Sequence, residues 1–163
     1  MIEALHDAIE QRLAAALPDV DVQFYPELGE RVSLPLLVLE LAEFEPGTDP
    51  GTGELALVAI MQARVVCDPT AAKAELAVRQ LATRVAAQVH AATTFDQPVT
   101  PAKLRQIGPD GFHHAELDGY LVWLVEWVHE LEVGEPSDIA LPSFVPREVQ
   151  WSVDGDTESV VTP

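Results

Sequence analysis

Few residues of this chain have the types and spacing for chemistry, and His113-His114-Ala115-Glu116 come first. Two imidazoles and a carboxylate are zinc ligands in principle. A zinc site needs three or four converging ligands, and this cluster has no matched second pair. Neighbouring strand residues also point to opposite faces, which would separate the two histidines. Solvated loop histidines are the expectation. Asp154-Gly155-Asp156-Thr157-Glu158 has the oxygen-rich texture of a calcium loop but lacks the spacing and the twelfth-position glutamate of an EF-hand. Cys67 lies in the apolar run Ala63-Arg64-Val65-Val66-Cys67, where a buried, inert thiol is expected rather than a nucleophile.

Pairs of carboxylates such as Glu126 and Glu130 carry no weight in a chain with 27 acidic residues. The sequence contains no Gly-x-Ser-x-Gly elbow, no Walker-type Gly-Lys-Ser/Thr and no dinucleotide fingerprint. The expectation is a protein that is not an enzyme and uses no metal or cofactor. Its function must then be read from architecture and charge.

A length of 163 residues suits one domain, and 48% hydrophobic content excludes a disordered chain. The net charge of −18, from 9 basic and 27 acidic residues, repels phosphate, so tight nucleic-acid binding is not expected. The same charge suits either a solvated acidic surface or the wall of a passage along which a polyanion slides. One cysteine allows no internal disulfide, and the reducing cytosol is the expected compartment. The start, Met1-Ile2-Glu3-Ala4-Leu5-His6-Asp7, lacks the basic n-region and unbroken apolar core of a signal peptide. No stretch approaches the roughly 20 apolar residues of a membrane span.

The strongest structural signal is the run from Tyr120 to Val133. At period two, Leu121, Trp123, Val125, Trp127, Leu131 and Val133 share one face, with His129 their only polar member. The other face turns acidic through Glu126, Glu130 and Glu132. Such a strand is the spine of a sheet. His129 is expected to be a satisfied core or interface histidine.

Ile2, Leu5, Ile9, Leu13 and Leu17 mark an amphipathic helix stopped by Pro18. Val20, Val22 and Phe24 alternate as a short strand. Leu36 to Leu41 is an apolar run of the kind buried on both faces, and Leu55 to Val66 is its return. Asp68 and Pro69 suit the N-cap and first position of an Ala-rich helix presenting Leu76, Leu81, Val85 and Val89. A weak strand near Leu104–Ile107 precedes the long one. The fold class expected is α+β: an antiparallel-dominated sheet with an N-terminal helix and one long Ala-rich helix packed on it. The boundaries are 1–134 for this domain and 135–163 for an extended, acidic C-terminal arm.

Two segments lie outside this frame and are candidates for partner contact. Residues 45–53 carry two Pro-Gly steps and read as a long, polar hairpin loop, whose flanks and tip nominate Glu45, Asp49 and Glu54. The arm carries Phe144 and Trp151, too apolar to leave in water, and Arg147 to pair with an acidic neighbour. It is expected to pack back on its own domain or to lie on an adjacent subunit, with a disordered tail as the third alternative.

The texture of residues 1–134 resembles the tail-terminator and tail-completion proteins of long-tailed bacteriophages. The matching stretches are Met1–Leu17, Leu34-Pro35-Leu36-Leu37-Val38, the long turn before Gly53-Glu54-Leu55, the Asp68-Pro69 helix start, and Gly119 to Gly134. The resemblance implies a virion protein, assembled in the host cytoplasm and placed at the head-proximal end of the tail. It implies a ring of copies, typically hexameric, that caps the tail tube, stops its polymerisation and supports head–tail joining. Its partners would be itself, the tail tube protein and head–tail connector proteins, with DNA free to pass through the lumen and no membrane involved. The alternatives are a neck or head-completion protein, a small acidic bacterial module that recognises a basic partner, and a hydrolase with an unrecognised site.

Overall fold

The structure, a computed structural model, describes residues 1–26, 32–111 and 117–136, and the backbone of residues 148–153 and 156–161. Helix α1 (Ile2–Ala16) buries Leu5, Ile9 and Leu13 at four-residue spacing, and Leu17 continues the stripe as its C-cap. Strand β1 (Asp21–Phe24) follows, then β2 (Leu36–Pro46), β3 (Leu55–Cys67), helix α2 (Ala74–Ala92), β4 (Lys103–Pro109) and β5 (Leu121–Val133). The five strands form one sheet in the order β1-β2-β3-β5-β4, with only β1 and β2 parallel. The fold is α+β with an antiparallel-dominated sheet, as the sequence indicates.

Strand β3 is the centre. It pairs with β2 on one side and, along all 13 of its residues, with β5 on the other. Both helices lie on one face of the sheet. Their apolar stripes meet Leu37 and Leu39 of β2, Met61, Ala63 and Val65 of β3, and Val125, Trp127 and Leu131 of β5 in one core. The period-two reading of β5 therefore holds: its apolar face, His129 included, is the one turned inward. Small residues on α2, notably Ala82 and Ala86, let the helix sit close to the strands.

Two helix details differ from expectation. Helix α2 starts at Ala74, not at Pro69. Asp68 is used instead in a local turn, its Oδ1 accepting from both the backbone N–H and the hydroxyl of Thr70 at 2.7 Å. Those bonds hold the Asp68 carboxyl below its ordinary pKa, and they compete with helix capping. The buried stripe also differs from the expected one. Val78 is on it and Leu76 is not, being 51% exposed.

Strand β2 also runs further than expected, so Glu45 and Pro46 are strand residues and the hairpin connection is residues 47–54. In the C-terminal arm, β6 (Glu148–Val153) and β7 (Asp156–Val161) pair as an antiparallel two-stranded sheet.

Candidate interaction surfaces

The sheet is not a rectangle. Strand β1 reaches only the level of Leu39, and β4 stops where Lys103 pairs with Val128, opposite Ile60 of β3. Beyond that level β2, β3 and β5 continue as a three-stranded extension. Its five β3 residues, 55–59, add ~16 Å at about 3.3 Å per residue.

The 47–54 connection at its end is ordered by its own groups. Gly47 N–H donates to the Ala56 carbonyl at 2.9 Å, and a Cβ at Gly47 would stand 2.9 Å from the Ala56 carbonyl carbon, so only glycine fits. Asp49 Oδ1 accepts from Gly51 N–H at 2.8 Å, and Gly51 has φ of 74°. The Thr52 hydroxyl donates to Glu54 at 2.9 Å. Leu55, the first residue of β3, is 60% exposed beside these carboxylates.

The expected interface residues separate into three places. Glu45 lies on β2 opposite Val58 and accepts from Arg105 at 3.3 Å, which ties it to the β4 edge. Asp49 is exposed at the loop tip. Glu54 lines a cavity of about 600 Å³ at the root of the hairpin, together with Met1, Thr100, Glu130 and Glu132. Leu55 pairs with Val133, which puts Glu54 beside Gly134 where β5 ends. Trp151 is in β6 opposite Glu158. Phe144 and Arg147 lie outside the described residues, as do His113, His114 and Glu116. Asp156 to Glu158, part of the calcium-like run, belong to strand β7.

The sheet face away from the helices carries a polar device that period counting alone does not reveal. Glu40, Gln62, Glu126 and Gln106 stand at one register level across β2, β3, β5 and β4. Gln62 Nε2 donates to Glu126 at 2.7 Å, and Gln62 Oε1 accepts from Arg64 Nη2 at 2.7 Å. Arg64 Nε donates to Asp110 at 2.7 Å, with both side chains 4% exposed. Its Nη1 stands 2.8 Å from Glu40 as an ion pair without hydrogen-bond alignment. The signal for this was an arginine inside an otherwise apolar run. The bonded groups lock three strands, β2, β3 and β5, and Asp110 together, and each of them faces a partner rather than an open site.

Two further titratable side chains, Cys67 and His129, are buried in the sheet. Cys67 is buried, and desolvation raises its pKa, as befits an inert thiol. His129 is buried and hydrogen-bonded through both ring nitrogens. Among the described residues no group of three or more His, Cys, Asp or Glu is placed to hold a metal ion, and no helix is long and apolar enough to cross a membrane. No protein-family model matches the chain, and no curated protein is significantly similar to it.

Proposed function

We propose that the chain is a structural assembly protein whose copies form a ring that caps a phage-type tail tube, stops its growth and supports joining to the head. The observation that carries this reading is the three-stranded extension. It reaches past both edge strands and ends in an acidic connection ordered by its own hydrogen bonds. A connection that takes its order from its own hydrogen bonds can present a fixed shape to a partner. The charge of −18 fits a subunit lining a passage for DNA without holding it.

The test replaces residues 48–53 with an Asn-Gly turn, keeping Gly47 and Leu55. Loop-closure free energy changes slowly with length, so the thermal midpoint is expected to move little. In an assembly reaction with tube protein, the wild-type chain should give tails of uniform length and the shortened chain should not. Uniform tails from the shortened chain contradict the reading.

A further inference from the structure

A groove of about 770 Å³ runs along α2 at the other end of the sheet, floored by Pro35, Cys67 and Leu81 and flanked by Leu76, Arg79 and Arg84. Leu76 is a large apolar side chain left half in water beside it. The charged residues that line it are Arg79, Arg84 and Asp19, a net +1 (2 − 1). Residues 68–95 hold Lys73, Arg79 and Arg84 against Asp68 and Glu75, a net +1 (3 − 2) in a chain of −18.

Arg79 is held in place over the Trp123 ring, 4.9 Å from its centroid, and pairs with Glu75. Arg84 forms a two-pronged pair with Asp19 at 2.8 and 2.9 Å. All four of these charged side chains are about half exposed or more. Pairs so exposed contribute little to stability.

The hairpin end has the complementary chemistry. Residues 43–54 hold Glu43, Glu45, Asp49 and Glu54 and no basic residue, a net −4. Leu55 projects at its edge. Leu55 and Cys67 are the two ends of β3, whose 13 residues span ~43 Å at 3.3 Å each. The hairpin end of a chain therefore cannot reach its own groove. A contact between two different patches on opposite ends of a subunit is head-to-tail, the kind that builds a ring when its rotation closes and a filament when it does not.

We propose that the acidic hairpin end of one copy seats in the α2 groove of a second copy, with Leu55 against Leu76 and the Asp49 and Glu54 carboxylates facing Arg79 and Arg84. This rests on the ring reading above and names the surfaces that make the ring.

The experiment uses the full chain and two variants, Leu55→Asp and Leu76→Asp, both at exposed positions. Circular dichroism melts establish that each folds, and sedimentation velocity reads the mass. The wild-type chain is expected to form a species larger than a dimer. Each variant alone should self-associate about ten- to a hundredfold more weakly, the equivalent of losing one buried leucine. Mixed one to one, the variants should form a 1:1 dimer and nothing larger. Leu76→Asp keeps a working hairpin end, and Leu55→Asp keeps a working groove. Folded variants that both assemble like wild type overturn this contact and leave the ring reading standing. So does a mixture of two monomeric variants that stays monomeric. A wild-type species that stops at a dimer, dissolved by either variant, keeps the contact and removes the ring.

Discussion

Trp127 donates its indole N–H to His129 Nε2 at 3.1 Å, from two residues away on the same buried face of β5. The other ring nitrogen, Nδ1, stands 2.7 Å from the Thr100 carbonyl. With Nε2 accepting, the neutral tautomer carrying its proton on Nδ1 satisfies both contacts at once. Thr100 also exchanges bonds with Glu130: its N–H donates to the Glu130 carbonyl at 2.9 Å, and its hydroxyl accepts from Glu130 N–H at 2.7 Å. The segment after α2 is thereby fastened to the spine at the base of the three-stranded extension.

This arrangement fixes a pH dependence. Burial lowers the His129 pKa, opposed in part by the Thr100 bond. The unfolded chain, with its ordinary value of 6.5, then takes up a proton first as pH falls. Stability from the neutral histidine is present above that value and is lost as pH drops through it toward the folded pKa. Urea midpoints measured from about pH 8 to about pH 5 should fall more steeply for wild type than for His129→Gln. Parallel curves contradict the assignment.

Removing the Trp127 side chain opens a cavity in the core and strips His129 of its donor. Trp127→Ala should cost about 3–5 kcal/mol in urea melts. Trp123 shares the face but is only partly buried, with Arg79 over its ring, so Trp123→Ala should cost distinctly less. Glu130 is half exposed, and its side chain pairs with Lys103 at the surface. Glu130→Ala should cost no more than about 1 kcal/mol. A Trp127→Ala protein as stable as wild type contradicts the packing described.

The Arg64 network predicts a second large loss, on the opposite face. Arg64→Met leaves the Asp110 carboxylate buried without its 2.7 Å partner and should cost about 3–5 kcal/mol. The double variant Arg64→Met/Asp110→Leu should recover part of that loss, because the buried carboxylate that lost its arginine is gone. Equal stability of the single and double variants in chemical denaturation argues against a buried charge pair.

The net charge of −18 predicts no measurable affinity for duplex DNA even at low salt, where electrostatic attraction is least screened. Electrophoretic mobility shifts or anisotropy titrations check this. A salt-sensitive micromolar complex contradicts the acidic passage.

The elements were legible because their periodicities are strong. The four-residue stripe of α1 and the two-residue alternation of β5 each correspond to a face buried in the core. What period counting missed has local causes. The start of α2 was misread because the Asp68 carboxyl bonds Thr70 rather than a helix N-terminus. Leu76 stands five residues before Leu81, which leaves it off a stripe built of three- and four-residue steps. The Arg64 network was hidden because its members are distant in sequence and meet only through strand register, as Glu40, Gln62 and Glu126 do. The β6–β7 pairing had a signal in Asp154-Gly155, a favoured hairpin dipeptide between alternating residues. Of the residues expected at an interface, Glu45, Asp49 and Glu54 are readable as one acidic region. Their division between the β4 edge, the loop tip and the hairpin-root cavity required the sheet.

Self-association is the most direct test of the whole account. Sedimentation velocity of the wild-type chain, over a wide range of concentrations at moderate salt, should show the monomer giving way to one closed species several times its mass. That species should remain discrete as concentration rises, because a head-to-tail contact that closes leaves no free ends. A chain that stays monomeric across the range contradicts the ring reading and the contact proposed to build it.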